Sequence, residues 1–300
     1  MRIIRYLNDN AIPVLGAVTD EEEVYLLPFA GFMELVNEAE SKGITALKLV
    51  EASIAGINPL DKRLEELELL VPIVAPEVWA SGVTYEKSKD ARNYEATGGN
   101  IGGATCYDKV YDAERPEIFF KSTAARTIGP HTPVYLRSDS KWQIPEPEVG
   151  LVLTKTGKIV GYTIGNDMSC RDIEGDNPLY LPQAKIWKHS CAIGPAIRLA
   201  ETVDDPYNFT LTCRIYRDEK LIVEGSANTA QLKRKFDELV SFLLKDNEIF
   251  DGTVLLTGTS IIPPNDFTLQ EHDQIEIEIS SIGILRNPVK VQSYSIEQAR

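Results

Sequence analysis

The sequence predicts an α+β fold in which a small α+β domain, residues 1–72, precedes a larger β-rich domain, residues 73–300. Three observations carry that expectation. Segments with alternating or β-branched patterns recur from residue 78 to residue 279. Helical periodicity is confined to a few stretches. Pro72 and Pro76 punctuate the chain where its character changes.

In the first 72 residues, Pro13–Val18 and Glu23–Leu27 read as short strands around the turn-like Thr19-Asp20. Phe32–Ser41 reads as a helix, because Phe32, Leu35, Val36 and Ala39 fall on one face and Gly43 is placed to end it. Asp61–Leu69 reads as a second, charged helical stretch. Beyond the boundary, strands are expected at Val78–Thr84, Glu117–Lys121, Glu148–Thr154, Lys158–Asn166, Phe209–Tyr216, Lys220–Glu224, Thr253–Leu256 and Gln274–Ile279. Lys155-Thr156-Gly157 joins two of these as a hairpin. A helix is expected over Thr229–Lys245, where Leu232, Phe236, Leu239, Val240 and Leu243 form an apolar stripe. Gly98-Gly99 and Gly102-Gly103 belong to no strand–helix unit and read as a mobile loop able to close over a site.

Composition narrows the function. A hydrophobic content of 43% with 25% charged residues is ordinary for a globular chain, so disorder is not indicated. A net charge of −14 argues against a nucleic-acid partner, which needs a positive track. No stretch approaches the roughly 20 apolar residues that cross a bilayer, so no membrane partner is expected. The start, Met1 to Asn10, has no apolar signal-peptide region. Cys106, Cys170, Cys191 and Cys213 show no CxxC spacing, which suits reduced thiols and a cytoplasmic enzyme.

The most informative segment is Ile144-Pro145-Glu146-Pro147-Glu148-Val149-Gly150. Two glutamates two apart in an extended segment point to the same face. Carboxylates held that closely repel unless a cation or a shared proton lies between them. The prolines stiffen the approach. Asp167 closes the strand that follows, nineteen residues after Glu148, a strand out and a strand back. Three such oxygen ligands suit a hard cation, Mg²⁺ first and then Mn²⁺ or Ca²⁺. Taken singly, a Glu-x-Glu also describes a solvated face and Asp167 a turn residue.

Other polar residues surround this constellation. Lys185 stands two residues before Trp187, whose ring is expected to desolvate the amine and lower its pKa. Arg171 lies four residues beyond Asp167 and Glu174 three beyond Arg171; each alone reads equally as a surface charge or ion pair. Glu117 and Lys121 share a strand face with Phe119. Thr257-Gly258-Thr259-Ser260 is a glycine turn whose hydroxyls and amides suit a ligand or a plain surface turn. His131, His189 and His272 have no metal-ligand spacing and read as structural. No GxSxG elbow, P-loop or GxGxxG fingerprint is present.

Several ordered motifs together resemble the fumarylacetoacetate hydrolase family across residues 75–300. They are Ser81-Gly82-Val83-Thr84-Tyr85, Phe119-Phe120-Lys121, Glu146-Pro147-Glu148-Val149, Gly165-Asn166-Asp167, Arg171-Asp172, Lys185, Cys191-Ala192-Ile193-Gly194-Pro195 and Thr257-Gly258-Thr259. The resemblance implies a β-rich C-terminal fold, a metal bound by Glu146, Glu148 and Asp167, and a homodimer or homotetramer. It places Lys185 and Arg171 near metal and substrate, and assigns Ser81, Thr84, Tyr85, Lys121 and Thr259 to substrate binding.

Hydrolases of that family commonly carry a water-activating histidine where this chain has Ser88. The runs Gly82 to Ser88, Asp167 to Gly175 and Asn177 to Lys185 look most like the branch that dehydrates 2-keto-3-deoxy pentonates. The expected substrate is therefore a small 2-keto acid chelated through C1 and C2, with its C3 proton taken by Lys185, Glu117 standing in reserve. The product expected from a pentonate is 2,5-dioxopentanoate. The alternative is an acylpyruvate-type hydrolase cleaving a C–C bond at the same metal.

Overall fold

Two joins in the main sheet bring together segments far apart in the chain, Arg2 with Arg198 and Val78 with Val254. The computed structural model describes residues 1–99 and 105–292. Strands β1 (Arg2–Leu7), β2 (Pro13–Val18) and β3 (Val24–Leu27) form an antiparallel meander. Helix α1 (Phe32–Ser41) buries Phe32, Leu35, Val36 and Ala39, the face its periodicity marks, and Gly43 follows it at φ 66°. Helix α2 (Ala46–Ile54), absent from the sequence expectation, starts at Thr45, whose side chain accepts from the Lys48 amide. The charged helix expected over Asp61–Leu69 does not form. A 3-10 turn, Leu64–Glu66, leads into β4 (Glu68–Leu69), which pairs with Tyr6 and Leu7 of β1. Leu64, Leu67 and Leu69 pack there on Tyr6, Val18 and Val24, so tertiary contact overrides the local helical preference.

Strand β5 (Glu77–Gly82) leads into helix α3 (Glu86–Thr97) and then α4 (Cys106–Asp112). Residues 86–97 thus hold a helix ahead of the expected glycine loop, and Gly98 at φ 57° ends it. Gly102 and Gly103 lie outside the described residues. Next come β6 (Glu117–Thr123), β7 (Thr127–Ile128), β8 (Val134–Leu136) and β9 (Gln143–Ile144). The hairpin of β10 (Pro147–Leu153) and β11 (Ile159–Asp167) follows as expected. After β12 (Ser169–Cys170) come helices α5 (Arg171–Asp176) and α6 (Leu181–Lys185), then β13 (Cys191–Leu199).

Strands β14 (Thr210–Arg217) and β15 (Lys220–Asn228) precede helix α7 (Phe236–Leu244). The helix expected from Thr229 therefore starts later. Residues 229–231 form a 3-10 turn, and Leu232 is nevertheless buried with the helix stripe. Strands β16 (Thr253–Leu256), β17 (Gln274–Ile279) and β18 (Gly283–Val291) complete the described chain.

The main sheet runs β3-β2-β1-β13-β11-β10-β16-β5-β6, and the second runs β15-β14-β17-β18-β8. Leu151, Leu153 and Ile164 of the first pack against Leu211, Ile215, Ile277 and Leu285 of the second, with Phe236 and Leu239 of α7. On the other face of the main sheet, Phe32, Leu35 and Leu49 cover Ile3, Val152, Ile193 and Val254. Residue 72 thus marks no break in the sheet. Arg2 and Ile3 of β1 pair with Arg198 and Ile197 of β13, so the first strands extend the sheet that carries the acidic hairpin.

Candidate functional site

The carboxylate ends of β10 and β11 build the site. Pro147 pairs with Asn166 and Glu148 with Gly165, which sets Asp167 beside the two glutamates. The Asp167 amide donates to the Glu146 carbonyl at 2.9 Å, and the Glu146 amide donates to Asn166 Oδ1 at 3.2 Å. These backbone contacts fix the reach of both segments. One ligand oxygen from each of Glu146, Glu148 and Asp167 lies within 4.8 Å of the others, and all three residues are buried.

Two buried lysines meet the three carboxylates. Lys121 Nζ contacts Asp167 Oδ1 at 2.6 Å and donates to the Met168 carbonyl at 2.9 Å and to the Lys185 carbonyl. Lys185 Nζ bonds Glu146 Oε2 and lies 3.2 Å from Asp167 Oδ2. Three carboxyls meet two lysines here, and Arg92 and Glu117 add one charge of each sign nearby, so acids outnumber bases. Glu148 shows the consequence: burial first, then Asp167 and Glu146, push its carboxyl well above the usual range. Its Oε2 accepts the Gly258 amide at 2.6 Å, which with the Lys185 charge works against that rise. Excess negative charge on convergent hard oxygens fits a divalent cation.

The lysine expectation needs correction. The Trp187 ring sits over Lys121, at 5.3 Å, and Phe119 takes the corresponding place beside Lys185, at 5.6 Å. Burial works to lower the Lys185 pKa, but Asp167 and Glu146 outweigh it and the pKa is raised. Those acids are close in space and distant in sequence, so the neighbouring Trp187 gives no sign of them.

A small cavity, about 10 Å³, opens on Glu146, Glu148, Asp167 and Lys185 and is lined also by Ser81, Val83, Phe119 and Thr259. Ser81 Oγ is buried without a hydrogen-bond partner, so it is available to a ligand. Thr259 lines the cavity while its hydroxyl closes a local turn with Ile261. Val83 sits at φ 54°, a left-handed conformation costly for a β-branched residue, which turns the chain sharply after β5.

Other expected site residues stand behind this lining. Thr84 Oγ1 donates to the Thr257 carbonyl at 2.8 Å, and Tyr85 is part of the apolar core. Glu117 folds over Gly82, where a Cβ would overlap its carboxylate, and its Oε2 is buried without a partner. Arg171 is buried against Trp142, and its Nε meets Glu95 Oε1 at 2.8 Å. None of the three histidines lines the cavity.

Two of the polar lining residues, Ser88 and Arg92, lie outside the expected site set. Arg92 and Ser88 reach the cavity from α3, whose buried residues are all polar and so give no apolar periodicity to read. The legible signal was a repeat: Arg92-Asn93-Tyr94-Glu95 and Arg171-Asp172-Ile173-Glu174 share Arg-x-x-Glu spacing. Ser88 Oγ donates to the Tyr85 carbonyl at 2.7 Å and accepts the Tyr85 amide at 3.2 Å, holding the start of the helix.

A two-sheet β-rich fold with a buried three-carboxylate centre at one hairpin end defines a class of metal-site proteins. Residues 88–290 match the model described as fumarylacetoacetate (FAA) hydrolase C-terminal, and the chain belongs to the fumarylacetoacetate hydrolase family. It is 47% identical over 228 residues to 2-dehydro-3-deoxy-D-arabinonate dehydratase of Saccharolobus solfataricus, covering 76% of each chain. It is 45% identical over 258 residues to a probable 2-keto-3-deoxyxylonate dehydratase of Haloferax volcanii, covering 86% of this chain and 87% of that one. Among solved structures it resembles 2-keto-3-deoxy-D-arabinonate dehydratase complexed with magnesium and 2,5-dioxopentanoate. The TM-score is 0.81 at 37% identity, over 98% of this chain and 100% of the other.

Proposed function

We propose that this chain is a hydro-lyase that dehydrates a 2-keto-3-deoxy sugar acid, a pentonate, to 2,5-dioxopentanoate, with Mg²⁺ held by Glu146, Glu148 and Asp167. The observation that carries this reading is the convergence of three buried carboxylates beside Lys185 on one small cavity. The similarity to two sugar-acid dehydratases supports it.

When bound, the ion supplies Lewis acidity at the substrate's C2 ketone and a clamp for its carboxylate. Lys185 accepts the C3 proton. With Asp167 and Glu146 as partners its ammonium is held charged; with those oxygens engaged elsewhere, burial alone acts and favours the neutral amine a base requires. Phe119 bounds the space beside Lys185 and keeps water from it. Ser81 and Thr259 line the path of the substrate's hydroxyls, and Lys121 holds Asp167 in place. The C3–H electron pair first delocalises onto the C2 carbonyl as an enolate and then forms the C3=C4 bond as the C4–O bond breaks. Two tautomerisations then move the unsaturation to C5 as an aldehyde. Ser88, with its hydroxyl engaged by Tyr85, is not placed to activate water, which weighs against the hydrolase reading.

The test is a panel of 2-keto-3-deoxy acids and an acylpyruvate incubated with Mg²⁺, products identified by mass. Loss of one water from a pentonate is expected, with no cleavage of the acylpyruvate. Glu146→Gln is expected to lower turnover about 100-fold or more. Full turnover by that variant in chelator-treated protein removes the metal from the reading.

No helix among the described residues is long and apolar enough to cross a membrane. The four free cysteines support a cytoplasmic setting. A homodimer or homotetramer is proposed with it: the outer edge of β15, exposing Leu221 and Ile222, offers a second copy unpaired backbone. Sedimentation velocity distinguishes the two assemblies.

A further inference from the structure

Two short helices face each other behind the cavity, and each carries an arginine and a glutamate three residues apart. Arg92 and Glu95 stand on α3; Arg171 and Glu174 stand on α5. They pair crosswise. Arg92 Nη1 meets Glu174 Oε1, and Arg171 Nε meets Glu95 Oε1 at 2.8 Å. All four side chains are at least 94% buried. Of the four, only Arg92 lines the cavity.

Seating a helix does not need this arrangement. Apolar residues of similar volume serve as well or better, because a buried ion pair gives back in attraction about what it loses in desolvation. Among the described residues, Arg92 Nη1, Glu174 Oε1, Arg171 Nε and Glu95 Oε1 have no hydrogen-bond partner, so the pairing is one of opposite charges, which fixes where each cation sits as apolar contacts do not. Glu174 is itself anchored: its second oxygen, Oε2, accepts the Ser169 hydroxyl at 2.9 Å. Ser169 is two residues beyond Asp167. The guanidinium is thereby tied, through Glu174 and Ser169, to the segment that follows a metal ligand, since β12 begins two residues after Asp167 ends β11. Gly175 allows the approach, since a Cβ there would lie 2.7 Å from the Glu95 carbonyl.

Resting on the dehydratase reading, we propose that Arg92 is the catalytic cation that meets the hydroxyl leaving C4, and that Glu174 is the positioning residue that aims it. Breaking C4–O sends the bonding pair to oxygen, where the N–H groups of Arg92 receive the developing charge. The proton that Lys185 took from C3 then completes the water, so one proton leaves carbon and one reaches oxygen. Arginine suits this place because its charge persists. Burial opposes the charge, and Glu117, Glu95 and Glu146 outweigh it.

Two readouts in Mg²⁺-loaded protein test this: dehydration of the 2-keto-3-deoxy pentonate, and deuterium exchange at C3 of 2-oxopentanoate. The second compound requires proton removal and has no leaving group. Glu174→Gln is expected to lower the dehydration kcat about 100-fold. C3 exchange is expected to stay within about threefold, since Lys185 and the carboxylates are untouched. Glu174→Asp recovers part of the dehydration. Equal loss of both reactions, or loss of neither, overturns the inference. If Glu174→Gln does not fold, Arg92→Lys decides it: dehydration lost with exchange kept supports the role, and no such split overturns it. An unaltered protein that performs neither reaction sinks the dehydratase reading itself, a different failure from an unaltered protein that performs both.

Discussion

Helices α1 and α3 are alike in length, ten and twelve residues, and opposite in what holds them. α1 buries Phe32, Leu35, Val36 and Ala39 in the layer over β10, β11 and β13. Each large apolar side chain so buried stabilises by about 1.5–3 kcal/mol. α3 buries Ser88, Arg92 and Asn93, and its seat is a set of charge pairs and hydrogen bonds. The hydrophobic force has no direction, so α1 is held without being aimed. Opposite charges attract at particular points, so α3 is seated with its cation facing a fixed anion, at a modest net gain in stability. The helix that only covers follows the first rule, and the helix that delivers a group to the cavity follows the second.

The largest expected effect lies on the covering helix. Leu35→Ala should cost about 2–5 kcal/mol of unfolding free energy, read from the urea midpoint, with kcat per folded molecule unchanged. A large fall in kcat there would erase the contrast between the helices. A smaller effect with the opposite signature is expected from Gly175→Ala. The added methyl meets the Glu95 carbonyl, costs about 1–3 kcal/mol of strain, and lifts α3 from its seat. Its kcat should fall while the global unfolding midpoint moves less than in Leu35→Ala. Hydrogen exchange should place the loosening in α3 and leave α1 protected.

The smallest effect concerns the outer side of α3. Asp108 accepts the Thr105 amide at 3.0 Å and the Asn93 side-chain amide at 2.8 Å. These bonds, the Thr105 amide first, hold its carboxyl below the usual 3.8. A depressed acid stabilises fully above its unfolded value and loses that contribution as pH falls through its folded value. Asp108→Asn should therefore lower the exchange protection of α3 and α4 above pH 3.8, and the gap from the unaltered protein should close below it. A gap that widens on acidification refutes the assignment.

The same contrast explains what could be read from the chain. The buried face of α1 was visible residue for residue, because apolar side chains repeat with the helical period. So was the acidic centre, because Glu146 and Glu148 stand two apart at the start of one strand and Asp167 ends the next. α3 was hidden, since Ser88, Arg92 and Asn93 mimic an exposed surface until their partners on α5 are known. The rise of the Lys185 pKa was hidden for a related reason: Trp187 is its neighbour in sequence, while Glu146 is its neighbour in space. β13 went unread because Gly194 and Pro195 interrupt a strand pattern that pairing to β1 and β11 restores.

The pairing of β1 with β13 has a consequence for how the polypeptide is made. The second residue waits for partners near position 198, and at 5–20 residues per second that is roughly 10–40 s of synthesis. During that interval β1 can find β2 and then β3, which satisfies one of its edges locally. Its other edge is covered by β4 only at Tyr6 and Leu7, and Arg2 and Ile3 stay open until the emerging ribosomal product supplies β13, so a nascent chain stalled before residue 191 should present that half-edge to chaperones or to other nascent copies.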